Sequence, residues 1–127
     1  MTVKLIQAIC LILVVTAPSF ASNLTGRVVA VLDGDTIEVL HNHRADRIRL
    51  NGIDCPEKGQ AYGKKAKQAA SALVFDREVT LQTDGKDKYG AGIADVLLPD
   101  GTKVNHTLGK DGWCLVVSEV RARRHSA

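Results

Sequence analysis

Cysteine, histidine and long apolar runs are all scarce in this chain of 127 residues, and each shortage narrows the possible functions. The three cysteines and four histidines fall into no C-x-x-C or H-x-x-x-H pattern, which argues against a zinc site. The longest apolar run is broken at Pro18 and is too short for a convincing membrane span. The net charge of only +3 is compatible with a polyanionic partner without requiring one.

The N-terminal residues have the features of an export signal. Lys4 gives a positively charged start, an apolar stretch follows, and Ser19 and Ala21 are the small residues that precede a cleavage point after Ala21. Cleavage would remove residues 1–21 of the 127 and leave 106, which is one domain. We therefore expect a secreted or periplasmic protein without stable membrane association, with an uncleaved N-terminal anchor as the alternative.

Two cysteines, Cys55 and Cys114, remain after cleavage. An even pair in a chain directed to an oxidising compartment favours a disulfide between them. Such a bridge typically adds ~2–4 kcal/mol to the stability of a small domain. The alternative is a pair of buried free thiols.

Short β-prone segments bounded by turn residues dominate the first half of the mature chain, and helical spacing follows Pro56. The predicted strands cover residues 24–32, 36–40, 47–50, 78–82 and 92–98. The predicted helices cover residues 61–75 and 104–108. The main predicted turns lie at 33–34, 41–44 and 84–85. Five short strands with the longer helix after the third predict a mainly β member of the α+β class, an OB-type five-stranded barrel.

Two segments bring carboxylates and one arginine to the ends of apolar strands: Asp33-Gly34-Asp35-Thr36, and the stretch from Arg49 to Glu57 that also contains Asp54. Oxygen ligands suit a hard divalent cation, and a guanidinium suits a phosphate. The combination indicates metal-assisted phosphodiester chemistry. Taken alone, residues 33–35 are more often a plain turn, and Arg49 would be an ordinary exposed strand residue.

These segments resemble the staphylococcal nuclease (thermonuclease) family. The likeness extends from Thr25 to Cys114, and four motifs occur in the family's order: Asp33-Gly34-Asp35-Thr36, Arg49 to Glu57, Asp87-Lys88-Tyr89-Gly90, and Asp100-Gly101 with Val104-Asn105. The resemblance implies an OB-type barrel with two or three packed helices. It also implies a Ca²⁺-dependent phosphodiesterase that acts on DNA and RNA. We expect the protein to be a monomer.

The same resemblance implies individual roles. Asp35 and Asp54 match the family's calcium carboxylates, and Cys55 matches the residue whose backbone carbonyl completes the metal site. Arg49 matches the first of two arginines that hold the scissile phosphate. Glu57 matches the residue that activates or orients the attacking water, which a positioned carboxylate can do.

The third motif carries one departure from the family pattern. Lys88 and Tyr89 match positions that contact a terminal phosphate of a bound nucleotide. The family's second catalytic arginine follows this motif directly, and Ala91 stands in its place. Because a lost arginine finger costs about 10³–10⁵ in rate, we expect low turnover.

The end of the chain departs as well. Residues 22–117 are predicted to form the domain, the family's closing C-terminal helix is missing, and residues 118–127 are predicted to be a basic, disordered tail. Two alternatives therefore stay open at this point. The chain could be a catalytically inactive OB-type module that binds nucleic acid or another partner, or a domain that does not fold by itself.

Overall fold

The computed structural model describes residues 23–117, so the predicted export signal and the tail over 118–127 lie outside the described residues. Nine elements follow in chain order: β1 (Asn23–Asp33), β2 (Thr36–His41), β3 (Arg44–Leu50), β4 (Ile53–Asp54), α1 (Gly63–Val74), β5 (Glu78–Lys86), β6 (Gly92–Leu97), α2 (Val104–Lys110) and β7 (Leu115–Val116). Within this range no helix is both long enough and apolar enough to cross a bilayer.

Five strands close into a barrel in the order β1-β2-β3-β6-β5. Neighbouring strands are antiparallel except β3 and β6, which run parallel. The predicted OB-type barrel is therefore confirmed. Strands β4 and β7 form a separate two-stranded sheet beside it, which the sequence analysis did not predict.

The core is built from alternate residues of the barrel strands, because successive strand side chains point to opposite faces. The buried strand residues include Val28, Ile37, Val39, Ile48, Leu50, Val79, Leu81, Ala94 and Val96. Helix α1 contributes Ala66, Ala70 and Val74, which share one helical face, while Lys64 and Lys65 stay exposed. This helix packs against β1 and α2 and covers the barrel next to the turn that contains Asp35.

Two predicted turns are corrected. The reversal after β2 uses only Asn42 and His43, both with positive φ (49° and 63°), so His41 and Arg44 are paired strand residues. Such two-residue loops match the twist of the strands that they join. The predicted turn at residues 84–85 is wrong, because both residues lie inside β5.

The β5 segment continues through a register shift between Thr83 and Lys86, where Gly85 takes a φ of 76°. A glycine at positive φ there produces a bulge rather than a reversal. The chain turns later, at residues 87–90. The turn before α2 is held by the Thr102 backbone N–H, which donates to the Asp100 carboxylate at 2.9 Å and lowers the pKa of Asp100.

Asn105 is a buried polar side chain in the first turn of α2 that joins three parts of the domain. Its Oδ1 accepts a hydrogen bond from the Val96 N–H at 2.9 Å. Its Nδ2 lies 2.8 Å from the Asn51 carbonyl oxygen and 3.2 Å from the Ala94 carbonyl oxygen. The amide therefore fastens α2 both to β6 and to the turn that leads from β3 to β4.

Asn105→Ala should lower the free energy of unfolding by about 3 kcal/mol, because it leaves the buried Val96 N–H and Asn51 carbonyl without their partner. Urea unfolding followed by circular dichroism measures the loss. Asn23→Ala, at the exposed start of β1, is the matched control and should change stability by less than ~0.5 kcal/mol. Equal midpoints for the two variants would contradict the role of Asn105.

Candidate active site

Asp35 occupies the two-residue turn between β1 and β2 and is a buried carboxylate, 3 % exposed. The Cys55 backbone N–H donates to its Oδ2 at 2.9 Å, and the Thr36 hydroxyl donates to its Oδ1 at 3.1 Å. The Leu50 N–H donates to its backbone carbonyl at 2.8 Å. These bonds hold the carboxylate beside the ends of β3 and β4 and give both of its buried oxygens a hydrogen-bond partner.

Gly34 allows this turn to approach its neighbours closely. A Cβ built at this position would lie 3.1 Å from the Cys55 Sγ and 3.2 Å from the Ala66 Cβ. A larger residue would therefore push the turn away from both Cys55 and α1. The glycine that the sequence marks as a turn residue acts here through close packing.

Arg49 brings the two predicted calcium carboxylates together. Its Nη2 lies 3.3 Å from Asp35 Oδ2 and 3.5 Å from Asp54 Oδ1. The Asp35 side chain is almost fully covered, whereas the Arg49 and Asp54 side chains are 39 % and 60 % exposed. One guanidinium faces two carboxylates, so the group keeps a net negative charge that a cation would compensate.

Cys55 follows Asp54 directly and forms a disulfide with Cys114. The free-thiol alternative therefore does not describe this structure. Because the sulfur is in a disulfide, Cys55 has no thiolate to offer a metal and only its backbone carbonyl is available. The bond also ties β4 to the segment that carries β7, where Asp54 pairs with Leu115.

Glu57 lies on the segment between β4 and α1, with an exposed side chain and a fixed backbone. Its N–H donates to Gln60 Oε1 at 2.9 Å, and the Gln60 N–H donates back to the Glu57 carbonyl at 2.8 Å. A Cβ at Gly63 would overlap the Glu57 carbonyl oxygen. Glycine at the first residue of α1 is thus what lets this helix hold the glutamate at the site.

Asp54, Cys55 and Glu57 line one groove of about 700 Å³. A second, smaller cavity of about 230 Å³ is lined by Arg49 and Asp87, among others. The residues predicted for metal binding and catalysis therefore lie close together and border two cavities: Asp35, Arg49, Asp54, Cys55 and Glu57.

The donor set fits a hard cation better than a soft one. Within residues 23–117 no group of three or more His, Cys, Asp or Glu side chains is arranged to hold a metal. Asp35 and Asp54 would therefore supply two side-chain ligands, and the Cys55 carbonyl and water would have to complete the shell. Ca²⁺ accepts such mixed oxygen shells with irregular geometry.

Lys88 and Tyr89 lie on the loop between β5 and β6, next to the smaller cavity. Asp87 Oδ1 accepts hydrogen bonds from the N–H groups of Tyr89 and Ala91, each at 2.9 Å. Tyr89 is 82 % exposed, and the Lys88 Nζ lies 5.0 Å from its ring centroid. The loop is therefore fixed at its base by Asp87 and presents a cation and an aromatic ring to solvent.

A model of the family described as "Staphylococcal nuclease homologue" matches residues 47–127 of the chain. The chain belongs to the staphylococcal nuclease family. It is 41% identical over 102 residues to an "Uncharacterized endonuclease" of Escherichia coli O157:H7, covering 80% of this chain and 67% of that protein. It is 42% identical over 92 residues to a "Micrococcal nuclease" of Shigella flexneri, covering 72% of this chain and 52% of the relative.

A third relative, a "Thermonuclease" of Staphylococcus hyicus, is 35% identical over 103 residues, which cover 74% of this chain and 60% of the relative. The chain thus spans between about half and two thirds of the length of these members of the staphylococcal nuclease family. The predicted family resemblance is confirmed.

Ala91 occupies the position where the resemblance leads one to expect a second arginine, and it is only 6 % exposed. The pairing of β3 with β6 places Ile93 opposite Arg49. Continuing the strand alternation one step back puts position 91 on the same face as these two residues. Ala91 directly precedes β6, so by this extension we expect its methyl group on the side of the barrel that carries Arg49, where it offers no charge.

Three contributors to the site received no individual role from the sequence, although Thr36 and Asp87 stand in the recognised motifs. Thr36 and Gly63 act only through contacts with Asp35 and Glu57 that the fold creates, so no local signal distinguishes them. Asp87 is different, because aspartate favours turns in which its side chain accepts a hydrogen bond from the backbone N–H two residues later. That pattern could have identified the residue that shapes the loop over 87–90.

Proposed function

We propose that this chain is a Ca²⁺-dependent nuclease that hydrolyses phosphodiester bonds in DNA and RNA. Family membership and the nuclease names of the relatives support a nuclease hydrolase. The observation that carries the proposal is the Arg49 guanidinium placed between Asp35 and Asp54, beside the groove that contains Glu57.

Each residue has a role that its position supports. Asp35, Asp54 and the Cys55 carbonyl would hold Ca²⁺, and a bound Ca²⁺ would polarise a phosphoryl oxygen and neutralise its charge. Arg49 would grip two phosphate oxygens, as a planar guanidinium does. Glu57, exposed in the groove next to Asp54, would accept the proton of the attacking water.

The proposal includes reduced turnover. Ala91 provides no second cation on the Arg49 face, so the charge that builds on the phosphoryl group would be countered by Arg49 and the metal alone. Lys88 does not replace the missing arginine, because a lysine is a point charge without the planar two-point geometry of a guanidinium. Lys88 and Tyr89 would instead contact a terminal phosphate of the substrate.

An exported, monomeric protein is part of the same proposal. The N-terminal sequence pattern and the disulfide between Cys55 and Cys114 both favour the periplasm or the exterior, where disulfides persist. Nothing in the mechanism requires a second copy of the chain, since every residue proposed to contact metal, phosphate or water belongs to one domain.

Cleavage of end-labelled single-stranded DNA and RNA by the purified, oxidised protein tests the function. Products should form with Ca²⁺ and disappear with a calcium chelator. Asp35→Asn is the matched control, because the amide keeps the shape of the side chain but removes the ligand charge. Cleavage that survives the chelator, or that Asp35→Asn retains in full, would contradict the proposal.

Ala91 also favours a second candidate, a catalytically inactive module that binds nucleic acid. In that case a nucleoside bisphosphate would bind only with Ca²⁺, and no product would form even at enzyme concentrations above the substrate concentration. Product formation under those conditions would exclude this candidate.

A further inference from the structure

The groove that contains Glu57 is larger than the attack of a water molecule requires. Its volume of about 700 Å³ is in the range of pockets that enclose small organic ligands. One wall comes from the segment that leads into α1 and includes Tyr62, and the other comes from the segment after α2 and includes Trp113 and Leu115. The disulfide between Cys55 and Cys114 joins the two walls.

Aromatic side chains are concentrated here. The whole chain has one Trp, two Tyr and two Phe, yet both Tyr62 and Trp113 line this groove. Tyr62 is 71 % exposed, although its backbone is fixed at a φ of 63° and its carbonyl accepts the Ala66 N–H at 2.9 Å. Leu115 is 72 % exposed and adds an apolar surface to the opposite wall.

The charge of the groove selects against phosphate. The described residues that line it include Asp54, Glu57 and Asp111 and no Lys or Arg. Asp54 and Glu57 belong to the proposed metal and water site, and the rest of the groove adds the Asp111 carboxylate and no cation that could bind a second phosphate. The part of a nucleotide that suits such a surface is the uncharged, planar base.

The groove also lies where a base would arrive. Arg49 lines the smaller cavity on the side of the loop over 87–90, and its partner Asp54 lines the aromatic groove. Because Arg49 and Asp54 contact each other but line different cavities, a strand whose scissile phosphate contacts Arg49 can reach both cavities, with one flanking nucleotide near the loop over 87–90 and the other in the groove.

We propose that this groove is a nucleobase subsite: the base that flanks the scissile phosphate on the side away from the loop over 87–90 stacks on Tyr62, against the apolar surface of Trp113 and Leu115. The proposal rests on the nuclease function proposed above. Stacking on an aromatic side chain accepts any base, because every base has a π-face. The subsite therefore adds affinity without a strong sequence preference.

Oligonucleotides with one cleavable bond test this subsite. All other linkages are methylphosphonates, which are not cleaved. Three substrates are compared: one with both flanking bases, one without the base on the first side of the cleavable bond, and one without the base on the second side. With the wild-type protein, removing the base on one side should lower kcat/KM roughly ten-fold. Tyr62→Ala should lower kcat/KM by a similar factor on the normal substrate. The kcat/KM of this variant should be the same for the normal and the abasic substrate. Tyr62→Phe should behave as wild type.

Phe75→Ala is the matched control, since Phe75 is an exposed aromatic residue at the other end of α1 and should leave both substrates unaffected. Equal losses for Tyr62→Ala on normal and abasic substrates would overturn the subsite and indicate a structural role for the ring. An unchanged Tyr62→Ala would overturn it as well.

A failure of the nuclease function is distinguishable from a failure of the subsite. Trp113 is the chain's single tryptophan, so its fluorescence reports on the groove whether or not cleavage occurs. Adenosine should quench it and ribose should not, and Tyr62→Ala should weaken the adenosine titration. If a folded protein cleaves nothing but shows this quenching, the subsite is supported and the nuclease proposal is overturned. If the protein cleaves nucleic acid but adenosine does not quench the fluorescence, the nuclease proposal is supported and the subsite is overturned.

Discussion

Ala91→Arg should raise the rate of Ca²⁺-dependent DNA cleavage by roughly 10³–10⁵-fold, the factor that an arginine at a transferring phosphoryl group typically supplies. Arg49 pairs with Ile93, two residues after position 91, so by strand alternation we expect a long side chain at 91 to extend toward the phosphate that Arg49 would hold. The measurement is kcat from initial rates with a fluorogenic oligonucleotide, with Ca²⁺ in excess.

Two matched variants separate charge from size and shape. Ala91→Gln has a long, neutral side chain and should gain nothing, and Ala91→Lys should gain less than arginine because it offers a point charge. Circular dichroism melts must accompany all three, since Ala91 is buried. If a folded Ala91→Arg protein that binds Ca²⁺ cleaves no faster than wild type, the phosphate lies elsewhere than at Arg49.

Glu57→Gln should lower kcat by roughly 10²–10⁴-fold, the usual contribution of a positioned general base. The amide keeps the length of the side chain, and the backbone bonds between Glu57 and Gln60 do not involve the carboxylate. Ca²⁺ affinity should stay close to wild type, because Glu57 is not among the proposed ligands. Single-turnover cleavage with enzyme in excess of substrate measures slow rates directly.

Glu78→Gln provides the comparison for this loss. Glu78 is an exposed glutamate at the start of β5, where it pairs with Arg27 on the barrel strands, so its neutralisation should leave kcat unchanged. A kcat for Glu57→Gln within two-fold of the Glu78→Gln value would contradict the role of Glu57. A parallel loss of Ca²⁺ affinity would instead move Glu57 into the metal shell.

The barrel was predictable because local signals and global fold agree along most of its strands. Ile37, Val39, Ile48 and Leu50 alternate with polar residues, and that alternation alone places them in the core. The bulge at Gly85 was read as a turn, since an Asp-Gly pair has the same local preferences in both settings. The β4–β7 pair has only two residues per strand, too few for any periodicity to appear.

The candidate site was predictable only as a set of residues. The family resemblance groups Asp35, Arg49 and Asp54, and the structure places the Arg49 guanidinium within 3.5 Å of both carboxylates. The burial of Asp35 beside an exposed Asp54, and the support that Gly63 gives to Glu57, depend on how separate elements pack. Such contacts between residues far apart in sequence leave no pattern in the sequence itself.

The cross-link between Cys55 and Cys114, next to Asp54, affects how any sample of this protein should be prepared. The bond spans 59 positions, and one end is the residue proposed to offer its carbonyl to Ca²⁺. Protein purified from a reducing cytosol would carry Cys55 and Cys114 as free thiols. Its specific activity would then depend both on the fraction of molecules that are oxidised and on the rate of catalysis. Thiol titration of each batch, before and after mild oxidation, separates the two contributions.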